Sequence, residues 1–312
     1  MKAHFPIIKR AGLWLSFAVL LMLASAAIFY INFRPSIQFT GGAQLKVAWQ
    51  LSDQAKQDIL AIPGVSQVGL NTEMINNQEY TIVLTQVTSK DDVEITKISK
   101  AVQDTLITKK HITDSGKIME SSIVWPSIGE YLTKSARNTI LIGLFLIAIY
   151  MVFSFAEVRR YIQPQVLAAI TIFTMLFDVL APMWVYGIKM MIDPTTQVDV
   201  IFVIALLTTM GYSINDTIVI FDRIRENLTN LWSKVKDIGQ LFEDSIWQTM
   251  RRSMGTSIAT FVVVVAMYIF GTGDLGRFAF SMGVGVISGT FSSIFLAAPL
   301  AYLIIKYSKK NK

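Results

Sequence analysis

Six long stretches of apolar residues run through this 312-residue chain and restrict the folds open to it. The hydrocarbon core of a bilayer is about 30 Å thick, and a helix rising about 1.5 Å per residue crosses it in about 20 residues. The stretches have about this length, which argues against a simple water-soluble enzyme. We predict a transmembrane helix in each, at residues 11–33, 138–156, 161–188, 198–220, 253–270 and 278–305.

The first stretch has an alternative reading as a signal peptide. Lys9 and Arg10 precede it, and the triplet Ala24-Ser25-Ala26 imitates a cleavage site. The hydrophobic region of a signal peptide is about 7 to 15 residues long. The stretch here has 23 residues, so we interpret it as an uncleaved membrane anchor.

Charge is scarce and unevenly placed along the chain. Hydrophobic residues make up 53% and charged residues 16%, with a net charge of +6. If the N-terminus is cytoplasmic, the two short outer loops contribute only Lys189 and Arg277. The cytoplasmic side then receives Lys2, Lys9, Arg10, Arg159, Arg160, Arg223, Arg225, Lys234, Lys236, Arg251, Arg252, Lys306, Lys309, Lys310 and Lys312. This is the positive-inside pattern, which predicts cytoplasmic termini and explains the basic excess without nucleic acid.

The composition also limits the chemistry. The chain has no cysteine and only two histidines, His4 in the predicted cytoplasmic tail and His111 in a polar stretch. Disulfides, thiolate nucleophiles and cysteine-ligated metals are excluded, and two histidines alone do not build a zinc site. No phosphate loop, Ser-His-Asp set or HExxH motif occurs in a plausible context. We predict no enzyme activity, no cofactor and no metal.

The polar segment between the first two spans has the patterning of a folded domain outside the membrane. It predicts a strand over 44–49, a helix over 52–62, strands over 66–70 and 80–84, a helix over 92–106 and a strand over 118–125. Residues 71–78 are predicted as a hairpin connection. The order β-α-β-β-α-β is that of a ferredoxin-like unit. The predicted fold is therefore an all-α bundle of six transmembrane helices with an inserted α+β domain, divided into residues 1–33, 34–137 and 138–312.

Small residues recur at every fourth position of the last span. They are Ser281, Gly285, Gly289, Ser293 and Ala297. Such a stripe lets a neighbouring helix backbone approach closely, and we interpret it as a packing surface.

Charged residues inside the apolar spans need a partner, a proton or water. Asp178 lies near the middle of the third span, and Asp216 lies about 9 Å inside the cytoplasmic end of the fourth. Arg251 and Arg252 open the fifth span at the same side of the membrane, so one of them can reach the depth of Asp216. Two readings stay open for Asp216: a fixed salt bridge or helix cap, or a site that binds and releases a proton as the arginine withdraws and approaches. Asp199, near the outer surface, is expected to be solvated or to cap its helix.

The surroundings of Asp216 are unusually polar for a lipid-facing helix. Thr208, Thr209, Ser213, Asn215 and Thr217 lie close to it in sequence. This cluster predicts an internal, hydrated path. Gly211, in the same stretch, is a place where the helix could bend.

Four segments resemble motifs of the SecF subunits of the SecD/SecF protein-export family, which is related to the resistance-nodulation-division (RND) transporters. The strongest is residues 211–227, GYSINDTIVIFDRIREN, in the fourth span and the loop beyond it. Residues 39–42, FTGG, resemble the double-glycine motif of the family, with Gln38 where an acid is usual. Residues 248–257, QTMRRSMGTS, resemble the motif that opens span five, and the register marks Arg252 as its arginine. Residues 177–179, FDV, resemble a His-Asp-Val pattern in which Phe177 replaces the histidine.

The resemblance implies a multi-pass protein of the bacterial inner membrane with its large loop in the periplasm. It implies pairing with SecD, with YajC as a further partner, beside the SecYEG channel, and an indirect link to the ATPase SecA. The implied function is assistance to the export of unfolded polypeptides, driven by the proton-motive force. Two alternatives are half of an RND-type exporter of small molecules and a purely structural scaffold for the channel.

A mechanism follows as a hypothesis. Protonation of Asp216 breaks its pairing with Arg252 and lets the helices and the outer domain tilt, and deprotonation restores the pairing. Asp178 is a second candidate for proton coupling. The pair Gly41-Gly42 is either a flexible junction after the first span or a tight turn that opens the first strand.

Overall fold

The computed structural model describes residues 5–75, 78–87, 91–112, 118–160, 162–193, 196–231 and 237–310, so His4 lies outside the described residues. The chain is mostly helical and has one small antiparallel sheet. It divides into two compact units. The membrane unit comprises Met1–Asn32, Thr139–Ile188 and Ile204–Lys312, and the α+β unit comprises Phe33–Asn138 and Lys189–Val203.

The helices and strands follow one another without long irregular connections in the described residues. In chain order they are α1 (Ala11–Asn32), α2 (Ile37–Thr40), β1 (Gly42–Val47), α3 (Asp53–Leu60), β2 (Val65–Ile75), β3 (Gln78–Val87), α4 (Asp92–Thr108), β4 (Ile118–Val124), α5 (Pro126–Ser154), α6 (Pro164–Ile192), α7 (Val200–Leu231), α8 (Ile238–Phe270), α9 (Asp274–Ser292) and α10 (Ala298–Lys310).

Six helical segments of the described chain are long and apolar enough to cross a bilayer, which confirms the predicted number. They cover Ile8–Asn32, Ser127–Ser154, Pro164–Ile192, Val200–Asn230, Ile238–Phe270 and Asp274–Tyr307. Two of the helices begin well before the stretches that predicted them: α5 begins at Pro126 rather than Asn138, and α8 at Ile238 rather than Ser253. Hydropathy detects only the part of a helix that matches the bilayer core, whereas helical hydrogen bonding continues through the polar turns beyond it.

The core of the membrane unit includes buried residues of α6, α7, α8 and α10, among them Phe221, Phe242 and Ile246. The first helix packs through Trp14, whose ring lies 4.6 Å from that of Phe295, measured between centroids. Phe177, where the family pattern has a histidine, joins the same aromatic group, with its ring centroid 5.9 Å from that of Phe291. The side chain at this position therefore supplies apolar packing.

The sixth span is interrupted by a π-helical turn over Ser293–Ala297, between α9 and α10. Ahead of this turn, the small residues of α9 face α7. A Cβ added at Gly285 would overlap the Thr209 side chain, and one at Gly289 would lie 3.0 Å from Cβ of Ser213. The two helices are therefore in very close contact along the small-residue stripe.

The sheet of the α+β unit has the strand order β2-β3-β1-β4, and every neighbouring pair is antiparallel. Alternating residues of β1 point into a core shared with α3 and α4. Members of this core are Leu45, Val47, Val68, Val83, Ala55, Ile59, Ile98, Val102 and Leu106. Burial of these side chains joins the two helices to the sheet.

The predicted hairpin between β2 and β3 is present, but the connection predicted over residues 71–78 is too long. Strand β2 continues to Ile75 and β3 begins at Gln78, and these two residues pair with each other. Their polar sequence resembles a loop, but β2 is an edge strand, and edge strands carry polar residues because one side of the strand lacks a partner. Residues 76 and 77 lie outside the described residues.

The double glycine forms a tight turn at the start of β1. Gly41 has φ 81° and ends α2, where its N–H donates to the Ile37 carbonyl at 2.8 Å. Gly42 has φ 152°, and a Cβ there would overlap the Thr85 carbonyl oxygen. Both positions therefore favour glycine for a structural reason. This supports a tight turn at the start of β1 over a flexible junction.

The first residues of α7, up to Val203, belong to the α+β unit and are capped by side chains of that unit. Asp199 is buried, and its Oδ1 accepts from Phe202 N at 2.8 Å, so it caps the helix. Gln38 contributes as well, because its Oε1 accepts from Val200 N at 2.9 Å. The residue that departs from the family pattern thus satisfies a free backbone donor at this helix end.

Asp58 of α3 contacts two side chains that directly follow α4, Lys109 and His111. Oδ1 of Asp58 lies 2.6 Å from Lys109 Nζ, and Oδ2 lies 2.7 Å from Nε2 of His111. The hydrogen bond from Lys109, followed by that from His111, lowers the pKa of Asp58 below its ordinary value of 3.8. The stabilisation is therefore fully present above pH 3.8 and is lost as the pH falls through the lowered pKa.

We expect Asp58→Asn to raise amide hydrogen exchange in α3 of the full-length chain at pH 7. The difference from the unsubstituted chain should close as the pH falls below 3.8, after correction for intrinsic exchange. Asp104→Asn, which removes an exposed acid of α4, is the matched control and should leave α3 unchanged. Equal exchange of the Asp58 variant and the parent at pH 7 would show that the ion pair does not stabilise this helix.

Candidate functional site

Asp178 lies in the middle of α6 and is completely buried. Its Oδ2 accepts hydrogen bonds from two hydroxyl groups, Ser213 on α7 and Ser292 on α9, the latter at 2.9 Å. Its Oδ1 has no hydrogen-bond partner among the described residues. One carboxyl group thus connects three membrane helices and keeps one oxygen unsatisfied.

The surroundings of Asp178 supply neutral donors rather than a counter-charge. Within the described chain, no lysine or arginine pairs with it. A buried carboxylate without a paired charge is costly, and binding a proton removes that cost. The arrangement is chemically suited to hold and release a proton, and a change of protonation changes which of its oxygens can accept.

Asp216 lies one turn after Ser213 on α7 and is 2% exposed. Its Oδ2 is 3.3 Å from the Ser257 hydroxyl of α8, whose single proton is shared between this carboxyl and the Ser253 carbonyl at 2.8 Å. The Ser257 oxygen also receives hydrogen bonds from Tyr212 OH at 2.9 Å and from Thr290 Oγ1 at 2.6 Å. Ser257 therefore joins α7, α8 and α9 at one point.

The two aspartates are linked through α9. Ser292 binds Asp178, and Thr290, two residues earlier, binds the serine that binds Asp216. We call Tyr212, Ser213, Ser257, Thr290 and Ser292 the hydroxyl network. Through it, the two carboxyl groups and the helices α6 to α9 form one connected polar layer inside the membrane unit.

Arg252 is exposed and makes no ion pair with Asp216 in the described part of the chain. It precedes Ser257 by five residues, which places the two side chains about 140° apart around the helix. The sequence prediction of a direct pairing is therefore not met in this arrangement, because the face of α8 that reaches Asp216 carries Ser257.

The predicted polar cluster of α7 divides between two faces. Thr209, Ser213 and Thr217, spaced by four, are buried on the face that also carries Asp216. Asn215 is exposed and lies on another face, so it does not join them. Gly211 is also exposed, and α7 runs through it without interruption, so the structure shows no break there.

Four members of the hydroxyl network escape the sequence analysis: Tyr212, Ser257, Thr290 and Ser292. Ser257 lies in the motif of residues 248–257 and could have been found there, but only Arg252 of this motif was selected as a candidate. Thr290 and Ser292 give no signal, because isolated hydroxyl residues are common in membrane helices and bond to their own backbone. Among the described residues, no group of three or more His, Cys, Asp or Glu side chains could hold a metal.

Comparison with known proteins decides the family. The model of the family described as "Protein export membrane protein SecD/SecF, C-terminal" matches residues 103–307. The chain belongs to the SecD/SecF family of protein-export membrane proteins. The protein translocase subunit SecF of Sebaldella termitidis is 31% identical over 309 residues, covering 98% of this chain and 94% of that protein. The SecF subunit of Synechocystis is also 31% identical, covering 91% and 86%.

Solved structures agree with this assignment. The crystal structure of SecDF from Thermus thermophilus superposes with a TM-score of 0.77 at 25% identity and covers all of this chain. The chain spans only 39% of that SecDF chain, and 37% of the SecDF of Brucella abortus, to which it is 29% identical. The predicted family is therefore confirmed, and the chain is a multi-pass membrane protein with the role of a SecF-type accessory subunit in protein translocation.

Proposed function

We propose that this SecD/SecF family member couples protein export to the proton-motive force through Asp216 and Asp178. The observation that carries the proposal is the hydroxyl network, which joins two buried carboxyl groups to four membrane helices. A proton that enters or leaves either carboxyl changes the hydrogen bonds available to α7, α8 and α9 together.

The helix packing converts this local change into movement. α9 holds both the Ser292 contact to Asp178 and the Thr290 contact to Ser257, and it ends at the π-helical turn Ser293–Ala297. Such turns often occur at functional sites in helices, because their hydrogen bonds are arranged differently from those of the flanking helix. A shift of α9 therefore alters both carboxyl sites at once.

The energy available is sufficient for a directed step. One elementary charge that crosses 100 mV contributes about 2.3 kcal/mol, which biases a two-state equilibrium by roughly 50-fold. Arg252 completes the cycle in this proposal: its exposed side chain approaches the deprotonated Asp216 in a second arrangement and leaves it in the one described above. Thr209 and Thr217 extend the polar face along which a proton travels.

The partners and the setting follow from the same assignment. We propose that the chain pairs with SecD, since SecD and SecF relatives occur fused as SecDF. SecYEG, YajC, SecA and unfolded exported polypeptides complete the proposed assembly, in the bacterial inner membrane with cytoplasmic termini. We further propose that the α+β unit is a periplasmic ferredoxin-like domain, for which the strand order β2-β3-β1-β4 is the support. No enzyme activity is part of the proposal.

Replacement of Arg252 by Met, which keeps length without charge, tests the coupling. We expect gradient-dependent export to fall about tenfold, which corresponds to about 1.4 kcal/mol of activation free energy. Arg252→Lys, which keeps the positive charge, should retain most of the gradient-dependent export. The measurement is export into membrane vesicles with an intact and with a collapsed proton gradient, at equal protein levels.

Lys306→Met is the matched control, because it removes a cationic residue near a cytoplasmic helix end without touching the hydroxyl network. It should export normally. Normal gradient-dependent export by the Arg252→Met variant would leave this arginine with a topological role only and would favour the alternative of a structural scaffold.

A further inference from the structure

An apolar groove opens between α8 and α9 of the membrane unit, with a cavity volume of about 470 Å³. Its walls include Trp247, Met254 and Ile258 of α8 and Ile287 and Phe291 of α9. Ile258 and Ile287 are more than half exposed. A large apolar surface of this kind, at membrane depth, is expected to be covered by hydrocarbon rather than by water.

The length of the groove fits a lipid chain. From Trp247 to Phe261 along α8 is a rise of about 21 Å. One leaflet of the hydrocarbon core, half of about 30 Å, is shorter than this. The groove can therefore hold an acyl chain of one leaflet along its full length.

Arg251 lies at the end of the groove marked by Trp247, which is the cytoplasmic end in the proposed orientation. Arg251 follows Trp247 by four residues and precedes Met254 by three, so it lies on the groove-lining face of α8. It is exposed and has no ion pair or hydrogen bond to any described side chain. A guanidinium group binds phosphate through two parallel hydrogen bonds, and tryptophan is typical of the level of the lipid headgroups.

The nearby acids leave this charge available. Glu243 is already engaged, since its oxygens accept from Ile7 N, Ile8 N and Trp247 Nε1. Asp244 is exposed and lies two turns before Arg251, about 10 Å along the helix axis. Arg252 adds a second positive charge next to Arg251, so the mouth of the groove is cationic.

We propose that the groove between α8 and α9 binds an anionic phospholipid, with one acyl chain in the groove and the headgroup phosphate on Arg251. Ser257 and Thr290 form part of the groove lining, and their mutual hydrogen bond is the one that connects α9 to Asp216. The bound acyl chain covers this hydrogen bond from the lipid side. A role for this lipid in proton coupling rests on the proposed function, whereas the binding of the lipid to the groove does not.

The test uses the full chain in nanodiscs, with Trp247 retained and the other five tryptophans replaced by phenylalanine. Lipids with brominated acyl chains quench nearby tryptophan. At equal mole fraction, brominated phosphatidylglycerol should occupy the groove about fivefold better than brominated phosphatidylcholine. This is the preference expected from one basic residue near an anionic headgroup. Arg251→Gln should remove the preference, and Arg277→Gln, near the other end of α9, should keep it.

Native mass spectrometry of the unsubstituted chain and its Arg251→Gln variant gives a second measurement that needs no tryptophan replacement. Phosphatidylglycerol should be retained by the former and lost by the latter, and inorganic phosphate should not displace it. Equal quenching by the two lipids, or a preference unchanged in Arg251→Gln, would overturn the proposal. Quenching abolished for both lipids by added SecD would instead make the groove a protein interface and would also overturn it. Neither readout involves export, so failure of the proton-coupling proposal leaves this test unaffected.

Discussion

Export by an Asp216→Asn variant is expected to lose its dependence on the proton gradient. Asparagine keeps the size of the side chain and can still accept from Ser257, but it cannot bind and release a proton at neutral pH. The gradient-driven part of export should fall by up to roughly 50-fold, which is the bias that one proton provides at about 100 mV. The measurement compares export with an intact and with a collapsed gradient.

The control for this substitution is Asp222→Asn, on the same helix. Asp222 is exposed and pairs with Arg225 at 2.5 Å, a surface contact of modest energy, so export should remain gradient-dependent. Both variants need protein levels equal to those of the unsubstituted chain. If the Asp216 variant stays fully active and fully gradient-dependent, the coupling carboxyl lies elsewhere.

A single added methyl group at Gly285 is expected to destabilise the membrane unit. The new Cβ would lie 2.8 Å from Cβ of Thr209 and would overlap the rest of that side chain. Thr209 cannot turn away freely, because it is fully buried and its hydroxyl donates to the Ala205 carbonyl at 2.9 Å. The helices α7 and α9 must therefore separate, at a cost of about 1–3 kcal/mol for an overpacked core.

The measurement for Gly285→Ala is the thermal unfolding midpoint of the purified chain in detergent. Gly143→Ala on α5 is the matched control, since a Cβ there meets no atom within 4 Å. The control should be neutral or slightly stabilising, because alanine favours helix over glycine by about 1 kcal/mol. An unchanged or raised midpoint for Gly285→Ala would show that the contact between the two helices is loose.

The six spans could be predicted because an apolar stretch of about 20 residues has few alternatives to crossing a bilayer. The first residues of α5 and α8 could not be predicted in this way. Turns such as those over residues 238–252 are polar, and their helical state depends on backbone hydrogen bonds rather than on hydropathy. The edge strand over 71–75 was similarly hidden, because its polar residues resemble a turn until the pairing with β3 is known.

Asp178 and Asp216 could be selected from the sequence as candidates for proton coupling, because a charged residue inside an apolar span is rare and costly. Their partners depend on which faces of α8 and α9 meet α7, and sequence spacing within one helix carries no information about that. Depth allowed either Arg251 or Arg252 to meet Asp216, and the resemblance marked Arg252, whereas the rotation of α8 brings Ser257 to Asp216. The separation of Asn215 from Thr209, Ser213 and Thr217, by contrast, follows from spacing within α7, because residues two or six positions apart lie on different faces of a helix.

The π-helical turn at Ser293–Ala297 also affects how the last span can evolve. Its wider loop accommodates one residue more than a regular turn, so α10 keeps the orientation that a regular helix one residue shorter would give it. Loss of a single residue there is therefore expected to restore an even helix while Ala301 and Ile305 of α10, now inside the protein, keep their neighbours. Along this stretch the span tolerates a change in length that a regular helix would transmit as a rotation of about 100°.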